Sequence, residues 1–186
     1  VGGWTAIRGH DDWLAYDRPL DLLLTGKQGK ARAYQASDGQ PVWERKGFHG
    51  GQPLILRQAT FIDQAGVTWN ARTGKVADEK RLFARNGGCN YAVGGEHLVF
   101  LRERSACTVD LQTREKHYLR NVRSGCSNSL VAADGLLNVP LYAVGCVCNY
   151  PVQCSLALVH QPEVADWAGD EPVRLAAPSP DTQPAR

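Results

Sequence analysis

The six cysteines of this 186-residue chain are the side chains whose chemistry the sequence limits most strongly. An even number permits complete pairing, which is typical of proteins from oxidising compartments. A zinc site would favour pairs with about two to four intervening residues, whereas Cys146 and Cys148 are separated by Val147 alone. We therefore predict disulfides rather than a metal site, and a periplasmic, cell-surface or secreted location. The cysteines are Cys89, Cys107, Cys126, Cys146, Cys148 and Cys154.

A short phrase containing cysteine occurs three times in the second half of the chain. It reads G-C-N-Y-A-V from Gly88, G-C-S-N-S-L-V from Gly125 and G-C-V-C-N-Y-P-V from Gly145. The first two copies stand 37 residues apart, and a further step of that length back from Gly88 reaches Gly51. This period predicts a stack of repeated units, with Gln52, Cys89 and Cys126 at the same point of successive units.

The residues around these phrases are the candidates for ligand binding. An arginine lies shortly before each of the first two copies, and amide and aromatic side chains follow. If each copy begins the innermost strand of its unit, these side chains would gather near one mouth of a central channel. The same residues could equally satisfy strand ends and turns, and we favour that structural interpretation. The candidates are Arg85, Asn90, Tyr91, Arg123, Asn128 and His49.

Tight turns and short alternating runs predict the elements that position these residues. Turns such as Ser37-Asp38-Gly39 separate apolar or alternating stretches of strand length, at about four strands for each unit. Four-stranded units of this length predict an all-β chain of antiparallel meanders, the blades of a β-propeller. We predict about four blades of a seven- or eight-bladed ring. The expected organisation is 1–18 as the end of a preceding unit or a loop, 19–167 as blades and 168–186 as a proline-rich linker or tail.

The predicted strands follow the same order in each unit. In the first unit they are 20–25, 30–36 and 41–45, and in the second 53–56, 60–63 and 66–71. In the third unit they are 89–93, 98–101, 107–111 and 117–119. In the fourth they are 129–132, 136–141, 146–150 and 155–160.

Charge and hydropathy exclude several classes of protein. A net charge of +2 gives no basic face for nucleic acid, and no apolar run approaches the length of a membrane span. The alternating charges of 102–104 and 114–116 are typical of solvated strand edges. No serine elbow, phosphate loop or H-E-x-x-H motif is present. The chain holds no methionine, so we expect a processed product or a piece of a longer protein.

The turn sequences resemble a known repeat. Ala36-Ser37-Asp38-Gly39 followed by Trp43, with Ala71-Arg72-Thr73-Gly74-Lys75 one unit later, is similar to the A-x-D-x-x-T-G-x-x-x-W repeat of PQQ-like β-propellers, which are quinoprotein dehydrogenase-like or BamB-like. The cysteine-rich half looks like the closing blades of larger bacterial exported proteins. The second unit departs from the repeat, because Asp78 stands where tryptophan is expected.

The resemblance implies PQQ and calcium as cofactors only in an alternative, a PQQ-dependent dehydrogenase. Quinone enzymes of the family carry a ring of two adjacent cysteines, and no acidic cluster for calcium can be placed here, so we predict no cofactor. A second alternative is a polysaccharide-active, lyase-type enzyme using Tyr91, Arg123 and His49. Six cysteines permit fifteen pairings. We expect Cys146 and Cys148 to pair with Cys89 and Cys126 in some order, and Cys107 with Cys154.

The function that these observations favour is non-catalytic ligand binding or scaffolding, in a propeller segment of a larger exported protein stapled by disulfides. The expected partners are the remaining blades, from the same protein or from another chain that completes the ring. A glycan or an envelope protein is a further candidate ligand. Whether the chain is an enzyme is left open by its sequence.

Overall fold

The strands form four antiparallel sheets that follow one another along the chain. The structure is a computed structural model that describes residues 11–27, 29–48, 55–126, 128–141 and 154–164. Sheet 1 holds β1 (Trp13–Asp17), β2 (Leu22–Lys27), β3 (Gly29–Gln35) and β4 (Pro41–Phe48). Sheet 2 holds β5 (Ile55–Arg57), β6 (Thr60–Ile62), β7 (Thr68–Asn70) and β8 (Val76–Asp78). Sheet 3 holds β9 (Val93–Gly94), β10 (Leu98–Glu103), β11 (Ser105–Asp110) and β12 (Lys116–Leu119), and sheet 4 holds β13 (Val131–Ala133), β14 (Leu136–Val139) and β15 (Leu156–Val159).

One turn recurs between the third and fourth strands of the first three sheets. The N–H groups of Gly39, Gly74 and Arg114 each donate to the carbonyl four residues earlier, at 2.8, 2.8 and 2.9 Å. All three residues have positive φ, at 77°, 62° and 65°. The Oδ1 atoms of Asn70 and Asp110 accept backbone N–H groups within the turn and fix its shape. The structure therefore aligns the first three units residue by residue.

The three cores lie between consecutive sheets. Core 1 joins sheets 1 and 2, core 2 joins sheets 2 and 3, and core 3 joins sheets 3 and 4. Alternate side chains of β10 and β11 serve different cores, as strand geometry requires: Val99 and Leu101 enter core 2, whereas Phe100 enters core 3. Each inner sheet is thus covered on both faces. The buried members of core 1 are Trp13, Leu22, Leu24, Ala31, Ala33, Trp43, Phe48, Phe61, Trp69 and Ala71.

Stacked aromatic rings fill the junction between sheets 1 and 2. The Phe61 ring stacks on Trp43 on one side and on Trp69 on the other, with centroid distances of 6.2 and 6.3 Å. Phe48 packs obliquely against Phe61 and Trp69. Aromatic pairs at such distances add to the stability that burial alone gives. Aromatic side chains therefore make up much of the contact between sheets 1 and 2.

Two assignments differ from the sequence-based expectations. Trp13–Asp17 pairs along its length with Leu22–Lys27, so it is the first strand of sheet 1 rather than part of a preceding unit or a loop. Leu156–Val159 pairs directly with Leu136–Val139, in the place predicted for 146–150. The segment 146–150 lies outside the described residues. The apolar face of Leu156–Val159 explains the pairing, because Leu156 and Leu158 pack on core 3.

No helix within the described ranges is long and apolar enough to cross a membrane. The limits predicted at 167 and 168 lie outside those ranges, and the proline-rich tail remains a prediction.

Candidate functional site

A buried asparagine holds the junction between sheets 3 and 4. Asn90 is 1% exposed, and its Nδ2 donates to Ser124 Oγ at 3.2 Å and to the carbonyl of Asn128 at 3.4 Å. Its Oδ1 accepts the backbone N–H of Arg102, in β10, at 3.0 Å. Every polar atom of this side chain is therefore bonded to protein. A buried amide side chain that makes all its hydrogen bonds in this way holds neighbouring sheets together.

The same network continues toward sheet 2 through Arg85. The Arg85 guanidinium donates to the carbonyl of Asn90 and, at 3.0 Å, to Gln64 Oε1. Gln64 in turn makes two hydrogen bonds with the backbone of Ala92, at 2.8 and 3.0 Å. Burial lowers the pKa of Arg85 from its ordinary value. We call the set of Gln64, Arg85, Asn90, Ser124 and Asn128 the junction network; it connects elements of three successive sheets.

A glycine begins the cysteine phrase because the chain passes very close to β10 there. Gly88 has a φ of 93°, and a Cβ on it would stand 2.0 Å from the carbonyl oxygen of Arg102. Any side chain would therefore force the loop and the strand apart. Gly88 thus marks the point where the loop reaches the sheet, just before Asn90 of the junction network.

The structure brings together three of the six residues predicted to bind a ligand. Arg85, Asn90 and Asn128 belong to the junction network, where they bond to one another. Arg123 is 4% exposed and is adjacent to Ser124 in sequence, whereas Tyr91 is half exposed beside Asn90. His49 lies outside the described residues, as does Gln52. Ligand binding by these residues remains a prediction.

The predicted bridge between Cys107 and Cys154 is wrong for this structure. Both thiols are free, and Cys107 is fully buried in core 2, where its Sγ lies 3.5 Å from the carbonyl of Thr108. Cys154 is exposed and precedes β15 of sheet 4. The two residues cannot meet because Cys107 points toward sheet 2, while sheet 4 covers the opposite face of sheet 3.

The remaining cysteine predictions involve residues that are only partly described. Cys89 is exposed with a free thiol. Cys126 Sγ lies 3.8 Å from Nη1 of the buried Arg102. Their expected partners, Cys146 and Cys148, lie outside the described residues, so no disulfide is seen among the residues that the structure describes.

An open polar pocket of about 590 Å³ lies at one end of sheet 3. Glu103, the last residue of β10, is 7% exposed and stands at its base. Its Oε2 accepts hydrogen bonds from Lys116 Nζ at 2.7 Å and from the Tyr118 hydroxyl at 2.8 Å, and its Oε1 accepts the Asn86 N–H at 2.6 Å. We call this the sheet 3 pocket; its lining is Asn86, Glu103, Arg104, Ser105, Lys116, His117, Tyr118 and Arg120.

The hydrogen bonds at Glu103 keep its carboxylate charged despite burial. Burial alone would raise the pKa of Glu103, but the bonds from Lys116, Tyr118 and Asn86 outweigh it, and the pKa falls below its ordinary value. The hydrogen bond to Glu103 is also the main cause that raises the pKa of Tyr118 to about 12. The Lys116–Glu103 ion pair is therefore fully formed at neutral pH, and the Tyr118 hydroxyl is neutral.

The sequence pattern did not reveal this pocket. The alternating charges of 102–104 predict a solvated edge, but Arg102 and Glu103 are 2% and 7% exposed, so that interpretation is wrong for both. Their burial follows from position, because β10 is an inner strand of sheet 3 covered on both faces. The apolar run 98–101 just before them is the one signal that could have indicated a buried strand end.

In sheets 1 and 2, the residue four positions after the positive-φ glycine of the recurrent turn contacts the next sheet. Trp43 follows Gly39 by four residues, and its Nε1 donates to the carbonyl of Ala71 in the next sheet at 2.8 Å. Asp78 follows Gly74 at the same distance and forms an ion pair with Arg114 of the next sheet. The side chain expected to be tryptophan is thus replaced by a carboxylate that still reaches the neighbouring turn.

Side chains for a metal site are not brought together in the described ranges. No group of three or more histidine, cysteine, aspartate or glutamate residues there is placed to hold a metal ion. A protein calcium site draws on about six to eight oxygen ligands, including several carboxylates. The described side chains therefore do not fit the calcium site that the dehydrogenase alternative requires.

Comparisons with known proteins identify a fold but no family. No protein-family model matches the chain, and no curated protein matches it. Among solved structures, the computationally designed Ika4 protein matches with a TM-score of 0.57 and 12% identity, over 84% of this chain and 95% of that one. BamB from Moraxella catarrhalis matches with a TM-score of 0.48 and 14% identity, over 68% of this chain and 42% of BamB.

A third match is the Cps50 (Swd1) beta-propeller domain of Myceliophteria thermophila, with a TM-score of 0.47, 16% identity and coverage of 71% of this chain and 52% of that one. The identities are low, so these likenesses concern the fold alone. The four antiparallel sheets packed in series, together with the likeness to the Ika4 protein, define an all-β chain of propeller blades. The prediction of about four blades is confirmed, with the fourth represented by three described strands.

Proposed function

We propose that the chain is a non-catalytic binding or scaffolding segment of a β-propeller, completed by further blades of the same longer protein or of another chain. The observation that carries the proposal is the packing of four blades in series, with two end faces that no other described part of the chain covers. Blades bury one face against each neighbour, and a stack ends only where a cap or another blade covers it. The repeat similarity of Ala36–Gly39 and Trp43 supports a PQQ-like ancestry for these blades.

Both end faces carry apolar side chains that a neighbouring blade would cover. On sheet 1, Leu14, Tyr16 and Val42 are 66%, 50% and 44% exposed. On sheet 4, Leu136 and Val159 lie opposite each other in the ladder and are 40% and 61% exposed. Their alternate neighbours pack inward on the cores, so these side chains point away from the described blades. Exposed apolar patches of this kind favour an interaction surface.

The experiment is a binding measurement with matched surface variants. The rest of the polypeptide encoded by the same gene is expressed separately, and its association with this segment is measured by light scattering and calorimetry. Leu14→Asp and Val159→Asp should each weaken association at least about tenfold, since each places a charge in a contact that excludes water. Val76→Asp is the control, because Val76 is 49% exposed on sheet 2, away from both end faces.

Two outcomes decide the proposal. Association with added blades, or of two copies of the segment, supports ring completion when the end-face variants lose it and the control keeps it. A segment that stays monomeric and binds no further blades contradicts the proposal. So does a loss of association that is equal in all three variants.

We also propose that the protein is exported, on the basis of its six cysteines. Cell fractionation with an antibody against the segment tests this location, and recovery in the cytoplasm alone contradicts it.

A further inference from the structure

The sheet 3 pocket has the size and the charge of a binding site for a small anion. Its volume of about 590 Å³ lies within the usual range for small-molecule sites. Three of its lining residues, Arg104, Lys116 and Arg120, carry a fixed positive charge, against the single carboxylate of Glu103. With histidine neutral, the lining has a net charge of 3 − 1 = +2.

The carboxylate of Glu103 does not compete for the two arginines. It is already bonded to Lys116, Tyr118 and the Asn86 N–H, through both of its oxygens. Neither the Arg104 nor the Arg120 guanidinium is among the groups that donate these hydrogen bonds to the carboxylate. Guanidinium groups bind carboxylate and phosphate oxygens in a planar, two-pronged geometry.

The backbone places the first of these arginines at the rim of the pocket. Arg104 is the only residue between β10 and β11, and Glu103 and Ser105 on either side of it are paired in the ladder. Arg104 has a φ of 64°, a conformation that arginine rarely adopts. Arg120 directly follows β12 and lines the same pocket.

The remaining lining suits the body of an organic ligand rather than a bare ion. Tyr118 is 47% exposed, so much of its ring is accessible while its hydroxyl is held by Glu103. Ser105 and the side chain of Asn86 add neutral polar groups to the lining. An aromatic ring beside a few polar groups is the usual composition of a site for a small organic molecule.

We propose that the sheet 3 pocket binds a small organic anion of monosaccharide size, whose carboxylate or phosphate group is held by Arg104 and Arg120. The proposal is independent of ring completion, because every residue of the pocket comes from sheet 3 or from the loops next to it.

The test is calorimetric titration of the full chain with glucuronate and with glucose 6-phosphate, using glucose as the neutral control. Both anions should bind, glucose should not, and the stronger of the two identifies the anionic group. Arg104→Gln and Arg120→Gln should each weaken binding about tenfold, since each removes a charge-assisted hydrogen bond. Affinity should also fall as salt rises from about 20 to 500 mM, because the site is open to solvent.

Two further variants separate electrostatics from loss of structure. Arg72→Gln removes an exposed arginine from the turn of sheet 2 and should leave affinity unchanged. Glu103→Gln keeps the shape of the pocket but raises its net charge by one, so it should tighten anion binding about threefold. Circular dichroism confirms that each variant is folded.

The proposal is overturned if neither anion binds more tightly than glucose, or if Arg72→Gln weakens binding as much as Arg104→Gln does. Weaker anion binding by a folded Glu103→Gln variant would also overturn it. Removing a negative charge should strengthen the binding of an anion to a site that holds its ligand by charge.

Discussion

The contact between Trp43 and Gly74 gives the most direct test of how neighbouring blades are joined. Trp43 is 8% exposed and bonds through its indole N–H to the carbonyl of Ala71. A Cβ on Gly74 would stand 2.5 Å from Trp43 Cδ2, and Gly74 has a φ of 62°. The glycine therefore meets two requirements at once, the positive φ of the turn and close approach to the indole ring.

The expected effects on stability follow from these contacts. Trp43→Ala should lower the free energy of unfolding by about 3–5 kcal/mol, since it removes a large buried ring. Trp43→Phe keeps most of the packing but leaves the Ala71 carbonyl unbonded, at a cost of about 1–3 kcal/mol. Gly74→Ala should cost about 1–2 kcal/mol for the positive φ and a further 1–3 kcal/mol, roughly, for overpacking against the ring.

The double variant distinguishes the two parts of the Gly74 effect. With Trp43 already replaced by alanine, Gly74→Ala should cost only the conformational part, so the two substitutions should be coupled by about 1–3 kcal/mol. Gly135→Ala is the matched control, because Gly135 has a φ of 76° with nothing near the added Cβ. Gly135→Ala should lower the free energy of unfolding only by the cost of the positive φ, and its effect should not be coupled to that of Trp43→Ala.

The assay is equilibrium unfolding in urea followed by far-ultraviolet circular dichroism, which does not depend on the fluorescence of the substituted tryptophan. Additive effects of Trp43→Ala and Gly74→Ala would refute the reasoning. So would a Gly135→Ala variant that loses as much stability as Gly74→Ala. A change in the urea m-value would show that the blades unfold separately, in which case each transition is analysed by itself.

Three other perturbations have defined outcomes. Burial raises the pKa of the Cys107 thiol, so iodoacetamide should label Cys89 in the folded protein and Cys107 only after unfolding, as peptide mass mapping would show; equal rates contradict this. The pKa of Tyr118, about 12, lies above its ordinary value of 10.0, so its stabilising effect should be lost as pH rises through about 12. Ultraviolet titration should show that pKa return toward 10.0 in Glu103→Gln, and an unchanged value would contradict the assigned hydrogen bond. The pKa of Asp78 is lowered, first by a backbone N–H two residues on and then by its arginine partner. Its contribution should be present above about pH 3.8 and lost as pH falls further, and the pH dependence of the urea midpoint should therefore flatten in Asp78→Asn.

Local turn chemistry carried most of the fold prediction. The register of Gly39 with Gly74 follows from sequence because a turn with positive φ needs a particular residue type at a fixed place. The same turn in sheet 3 uses Arg114, which has no such preference, and there the Asp110 carboxylate holds the turn by accepting the N–H groups of Gln112 and Thr113. Strand pairing in the fourth blade was less predictable, since the sequence offers two segments of similar character for one place beside β14.

The candidate site depended on contacts that sequence cannot show. The prediction placed Asn90 and Arg85 near each other from a repeated phrase, and the structure joins them. It gave no means of telling whether their polar groups face a ligand or one another. Glu103 was missed for the opposite reason, because a charged residue at a strand end is normally exposed and nothing local signals the three donors that surround it.

A difference in strand register explains the origin of the sheet 3 pocket. In sheets 1 and 2 the ladder between the third and fourth strands shifts by one residue, and this shift lets Trp43 pair with Ala33 and Asp78 with Thr68. The ladder in sheet 3 is continuous, so Tyr118 lies opposite Cys107 instead.

A shift of one residue moves a side chain to the other face of a sheet. Tyr118, four residues after Arg114, should follow Trp43 and Asp78 toward the next blade, but the missing shift turns it to the face of Cys107. On that face it reaches Glu103 at 2.8 Å and becomes part of the pocket. The position that joins blades in sheets 1 and 2 thus helps to form the pocket in sheet 3.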